Sequence, residues 1–168
     1  MRGVFTALLI LLAGTGTGLA QTADQPKKLG SFKDWQAFTY KAPDSKVCFA
    51  FSEPKSSKSS REAKRGPIRF IVTNYPGRKV QGQISTIIGY PFKDGTTVKL
   101  TIDDKTFTLF PVGDTAWAEK DDADIVAAMK DGTSLKVAGI SWKGTETTDS
   151  YSLAGISAAI DEIDSACK

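Results

Sequence analysis

Residues Thr145 to Lys168 read TETTDSYSLAGISAAIDEIDSACK, a polar strand-like run followed by an amphipathic segment that closes on a cysteine. Leu153, Ile156, Ile160, Ile163 and Cys167 follow one another at spacings of three, four, three and four, which puts all five on one stripe of a helix. Ser152 stands at the expected N-cap, with Asp149 upstream of it. A thiol on the buried stripe of a terminal helix needs a partner or a pocket, and the only other cysteine is Cys48. The stretch therefore predicts a β-domain whose C-terminal helix is stapled to an early strand by Cys48 and Cys167. Two free thiols are the alternative.

The opposite end reads as a targeting segment. Met1-Arg2 gives a positive start, Val4 to Ala13 is apolar, and Gly18-Leu19-Ala20 offers small residues at a cleavage point. The apolar run is about half the ~20 residues a spanning helix needs, so residues 1–20 are expected to be a signal peptide rather than a retained anchor. Residues 21–30 are expected to be flexible and residues 31–168 to form one domain with its own core. No later stretch is apolar enough to enter a membrane, so no span is expected after cleavage. An exported chain in an oxidising compartment can keep a disulfide. A bridge closing a loop of about 120 residues would contribute ~4–5 kcal/mol on the loop-entropy model.

The formal net charge of the whole chain is +3, and one unit of it, Arg2, leaves with the signal. A nearly neutral remainder argues against bulk nucleic-acid binding. The chain has no histidine, which removes the Ser-His-Asp triad and the Cys-His pair as well as most zinc sites. Neither a metal nor a cofactor is expected.

Between the two ends the chain reads as short strands separated by turns. Phe32 to Lys41 is aromatic-rich and reads as the first strand, followed by Val47 to Ser52. In the latter, Val47, Phe49 and Phe51 are expected to face the sandwich core. Cys48 and Ala50 would then face the other way, against a closely docked helix. Residues 68–75, 83–90, 115–119 (with Trp117 towards the core) and 135–142 read as further strands. Val98, Leu100 and Ile102 alternate with Lys99 and Thr101 before an Asp103-Asp104 turn leads into residues 106–112, a hairpin signature. A short helix is expected after Asp121, with Ile125 and Met129 on one face. Asp121, Asp122 and Asp124 do not continue into the EF-hand pattern, since Val126 and Gly132 stand where it needs Gly and Glu.

Pro54 to Gly66 (PKSSKSSREAKRG) breaks the pattern, with Lys55, Lys58, Arg61, Lys64 and Arg65 set against a single Glu62. It reads as a long mobile loop. One reading makes these five cations a contact patch for phosphate or sulfate groups, and the other makes them a solvated hairpin loop. No aromatic residue is interleaved, so base stacking has nothing to use.

From Gly144 to Gly155 the pattern GT-x-T-x-D-x-YSLAG, followed by an alanine-rich helix and a closing cysteine, resembles the end of the invasion-associated locus B family. These are small exported proteins of alphaproteobacterial type. Phe32-Lys33-Asp34-Trp35, Val47-Cys48-Phe49, Ile88-Gly89-Tyr90-Pro91-Phe92, Ala116-Trp117-Ala118 and Ala127-Ala128-Met129-Lys130 extend the resemblance over the chain that follows the signal. The resemblance implies an all-β, immunoglobulin-like antiparallel sandwich with two short helices, periplasmic or secreted to the outer envelope. It implies no catalytic residue.

Three functions fit these readings. The first is a non-enzymatic module with an envelope or host-surface partner. The second is a periplasmic chaperone-like binder of client strands at a sheet edge. The third is a histidine-free hydrolase drawing on Ser152, Ser157 and Asp149.

Overall fold

A computed structural model describes residues 25–168, so the predicted signal peptide and its cleavage point lie outside the described residues. The described elements, in chain order, are β1 (Lys27–Phe32), β2 (Trp35–Lys41), β3 (Lys46–Ser52), β4 (Ser56–Ser59), β5 (Arg69–Tyr75), β6 (Val80–Ile87), β7 (Val98–Ile102), β8 (Lys105–Val112), β9 (Thr115–Trp117), α1 (Asp122–Asp131), β10 (Ser134–Ile140), β11 (Glu146–Ser152) and α2 (Ile156–Ala166). The hydrogen-bonded strand order is β1-β2-β3-β5-β6-β9-β8-β7-β10-β11-β4. All named pairings are antiparallel. This one ribbon folds over at β8, whose Lys105–Leu109 half pairs with β7 and whose Phe110–Val112 end pairs with β9. The result is the antiparallel sandwich with two short helices that the sequence predicts. β1 to β3, β5, β6 and β9 form the first layer, and β7, β10, β11 and β4 the second.

The sequence signals for local structure act where expected. Alternation buries Val98, Leu100 and Ile102 and leaves Lys99 outside. Asp103 turns β7 into β8 at φ 48°, an αL position that Asp tolerates. Its carboxylate accepts hydrogen bonds from the backbone N–H and hydroxyl groups of Thr133 and Ser134 at 2.9–3.0 Å. The bonds from Thr133 N–H and the Ser134 and Thr133 hydroxyls hold the Asp103 carboxyl below its ordinary range. In α1 the buried face is Ile125, Ala128 and Met129, and the Asp122 carboxylate accepts from the Ile84 N–H at 2.7 Å, tying the helix to β6.

Four expectations are corrected. First, residues 27–30, expected to be flexible, form most of β1, because a tight turn at Lys33 (φ 51°) splits the long aromatic run into a hairpin. Second, α2 packs on the core-facing side of the first layer, against β1, β2, β3 and β5, with Ser157, Ala158, Asp161 and Ser165 exposed on its far side. The small side chains Ala37, Cys48 and Ala50 are fully buried and make room for it, so they form the core face. Val47, Phe49 and Phe51 stand on the opposite face, outside the core cluster, where Val47 and Phe51 are still buried among their neighbours. Trp117 lies on that face too, while fully buried Ala116 faces in. Third, Ser152 ends β11 instead of capping α2, and its hydroxyl accepts from the Ala154 N–H at 3.2 Å. The position before α2 is Gly155 at φ 94°, where an added Cβ would lie 2.0 Å from the Phe32 carbonyl oxygen. The fourth correction, to the basic segment, is described with the site.

The staple is present: Cys48 and Cys167 are bonded, with a Cα–Cα distance of 5.9 Å. Ile156, Ala159, Ile160 and Ile163 are the buried stripe of α2, as the spacing predicts, and Leu153 is buried just ahead of the helix. The Lys46 ammonium donates to the Ala166 carbonyl, a second tie at the same end.

Candidate functional site

The segment rich in Lys and Arg is not a loose loop. Ser56–Ser59 form β4, which pairs with β11 in the register Ser56↔Ser150, Ser57↔Asp149, Lys58↔Thr148 and Ser59↔Thr147. Ser and Lys residues are weak strand formers on their own, so the pairing needs an anchor. That anchor is Arg65. Its side chain is 9% exposed and faces Asp149, which is 1% exposed. The guanidinium makes a two-pronged contact, Nη1 to Oδ1 at 2.7 Å and Nη2 to Oδ2 at 2.6 Å. Nε and Nη2 also donate to the Ile88 carbonyl at 2.9 and 2.7 Å. The Ser57 hydroxyl donates to Asp149 Oδ1 at 2.7 Å, and the Arg65 guanidinium lies 5.1 Å from the Tyr90 ring centre. The Tyr90 hydroxyl is hydrogen-bonded to Thr147, and burial raises its pKa against that bond.

The five cations singled out in the sequence therefore divide. Arg65 is internal, so it is withdrawn from any contact patch. Lys55 is exposed but paired with Asp34 at the corner between the layers, and the Lys55 and Ser152 hydrogen bonds hold the Asp34 carboxyl below its ordinary pKa. Arg61 donates weakly to the Gly144 carbonyl at 3.3 Å. Lys58, Arg61 and Lys64 are exposed and have no carboxylate partner among the described residues.

Lys58 gains two neighbours that sequence reading did not assign to it. The outer face of the second layer carries the cross-strand row Lys58–Thr148–Ala138–Lys99–Thr108 and beside it Ser56–Ser150–Lys136–Thr101–Thr106. Lys58, Lys99 and Lys136 thus share one face with hydroxyl groups, and neither row contains a carboxylate. The Lys99/Thr101 alternation already marked Lys99 as outward. What the sequence lacked was the pairing of β4 with β11, which brings Lys58 onto the same face.

The other candidate residues do not assemble into a reactive centre. Asp149 is committed to Arg65 and Ser57, Ser152 to the Ala154 N–H, and Ser157 is exposed on α2. Every described lysine is exposed. Among the described residues no group of three or more His, Cys, Asp or Glu is placed to hold a metal, and no helix is long and apolar enough to cross a membrane.

Comparison with known proteins agrees with this architecture. No curated protein matches the chain. Among solved structures, the crystal structure of invasion associated protein b from Bartonella henselae superposes with a TM-score of 0.53 at 17% identity, covering 82% of this chain and 95% of that one. At that identity the likeness is one of fold. The family model described as invasion associated locus B (IalB) protein matches residues 35–164, from the start of β2 into α2. The chain belongs to the invasion associated locus B family.

Proposed function

We propose that the chain is an exported, non-enzymatic binding module of the periplasm or outer envelope that recognises an anionic partner through the outer face of its second layer. The observation that carries this reading is the buried Arg65–Asp149 pair. It holds β4 in register, so that Lys58 is displayed on a sheet beside Lys99 and Lys136, with Arg61 and Lys64 at the margin. Hydroxyl groups between the lysines supply donors for phosphate or sulfate oxygens. The lysines repel one another weakly in water and would be relieved by a polyanion.

The two other readings find less support. A strand-accepting chaperone needs a long, bare edge. Here one edge is β1, which carries Lys27 and Lys28 and a bulge, and the other is β4, four polar residues long. A hydrolase needs a nucleophile and a base in contact, and the described serines and lysines do not supply one.

The test is retention on heparin and on lipid A of the wild-type protein and a Lys58→Glu/Lys99→Glu/Lys136→Glu variant. The variant should elute earlier and lose most of its salt-dependent binding. Equal retention of the two proteins sinks this reading.

A further inference from the structure

The outer face of the first layer breaks the usual rule for antiparallel sheets, in which one face packs and the other is polar. One cross-strand row reads Gln36–Phe51–Ile71–Ser85–Trp117–Phe110, spanning six strands. Its neighbours add the pair Phe38–Phe49 on one side and, on the other, Ile87–Thr115–Val112. Phe38, Phe49 and Phe51 stack with centroids 5.6–6.4 Å apart. The Arg69 guanidinium lies 4.5 Å from the Phe51 ring centre, leaving Phe51 8% exposed, whereas Phe110 and Val112 stand out from the face at 39% and 73% exposure.

We infer that this face is the interface of a twofold dimer, its occupant a second copy of the chain. Two features favour self-association. The face contains both halves of a fit: Phe110 and Val112 project at its β8 margin. A shallow trough of about 260 Å³ lies within it, walled by Tyr40, Phe49, Ile71, Tyr75, Ile87 and Trp117. A knob and a hollow on one face satisfy a twofold contact, in which residue i meets j and j meets i.

The charges point the same way. The central row has no charged residue of its own, while the margin carries both signs, with Arg69, stacked on Phe51 at 4.5 Å, against Glu53 at 3.6 Å and Lys41, Asp44, Lys46 and Asp114 at the turns. A mixed rim around an aromatic centre is the anatomy of a protein–protein contact, whereas an acidic glycan or lipid surface calls for a rim of one sign. Four strands with about five residues each and two with three, at ~4.8 Å by ~3.4 Å per residue, project to roughly 420 Å² per copy, and the relief of the side chains, Phe110 and Val112 foremost, brings two copies towards the ~1,000 Å² total of a specific interface. Sheets pack face to face in this way at about 10 Å.

The test is sedimentation velocity on the oxidised exported protein over roughly three decades of concentration up to about 100 µM, the weak end expected for an interface of this area. It is run alongside tryptophan fluorescence in a Trp142→Phe background, in which the remaining Trp35 is fully buried and a change in emission reports on Trp117. The inference expects a monomer–dimer transition with a blue shift of Trp117 emission over the same range. Phe110→Glu/Val112→Glu alters only exposed side chains and should weaken the dimer on the order of a hundred-fold, with an unchanged far-ultraviolet spectrum. Lys99→Glu/Lys136→Glu, on the other layer, should leave it unaltered. A monomer at every concentration overturns the inference. So does a dimer indifferent to the Phe110/Val112 change, or a monomer whose Trp117 emission shifts only with neutral lipid vesicles.

Discussion

On the outside of the first layer a row runs Gln36–Phe51–Ile71–Ser85–Trp117–Phe110, while on the outside of the second it runs Lys58–Thr148–Ala138–Lys99–Thr108. Both faces look away from the same core, yet one is aromatic and the other is lysine and hydroxyl. The second row is what solvation alone selects. In the first, α2 takes up the face on which Ala37, Cys48 and Ala50 leave it space, and the larger side chains of the same strands stand on the other face. The difference teaches that a helix docked on the small-residue face of a sheet leaves the bulky residues of the same strands on the opposite face.

The largest blow to the contrast should come from Arg65→Ala. It leaves the Asp149 carboxylate buried without its guanidinium, at a cost of about 3–5 kcal/mol. Urea unfolding should show the loss, and hydrogen exchange should show β4 opening before β2 and β3 do. Replacing both partners, as Arg65→Met with Asp149→Leu, should cost much less, because no buried charge is orphaned.

Second in size is Cys167→Ser, with Cys48→Ser made alongside it. Release of a 119-residue separation should remove about 2–4 kcal/mol, the range disulfides typically give and below the loop-entropy figure because native-state strain generally offsets part of it. The apolar stripe of α2 should still hold the helix in place, so circular dichroism should keep its helical signal in dilute buffer. Loss of that signal would mean that the stripe alone cannot seat the helix.

A smaller effect follows from acid. The Asp103 carboxyl is held below its ordinary pKa by the hydrogen bonds from Thr133 and Ser134. Its contribution is therefore present above the unfolded-state value of 3.8 and is lost as pH falls through the lower folded-state value. Urea midpoints of the wild type should drop on the acid limb more steeply than those of Asp103→Asn, which is destabilised at neutral pH and flatter below it. Parallel curves would remove Asp103 from the acid response. The smallest stability change, within about 0.5 kcal/mol, is expected of Lys136→Thr, whose effect should appear in heparin retention instead.

Much of this architecture is legible in the residues. The spacing from Leu153 to Cys167 gives the terminal helix, its buried stripe and its covalent partner. The Val98–Ile102 alternation and the Asp103-Asp104 turn give the most regular hairpin. What fails is the side on which things lie. Period-two alternation says that Phe49 and Cys48 face opposite ways, but not which way is in, and side-chain bulk alone points to the wrong set. The basic segment fails for a different reason. Nothing local marks Arg65 as unlike Lys64, and the distinction comes from Asp149, 84 positions away in the chain. The positive face was half visible for the same reason, with Lys99 outward by alternation and Lys58 joined to it only by long-range pairing.

One strand bears on how these surfaces fail. Because β8 hands its backbone hydrogen bonds from β7 to β9 partway along its length, neither layer can peel off without tearing a ladder that the other shares. Calorimetry should accordingly give one cooperative endotherm with equal van't Hoff and calorimetric enthalpies, and the aromatic and cationic surfaces should vanish at the same temperature.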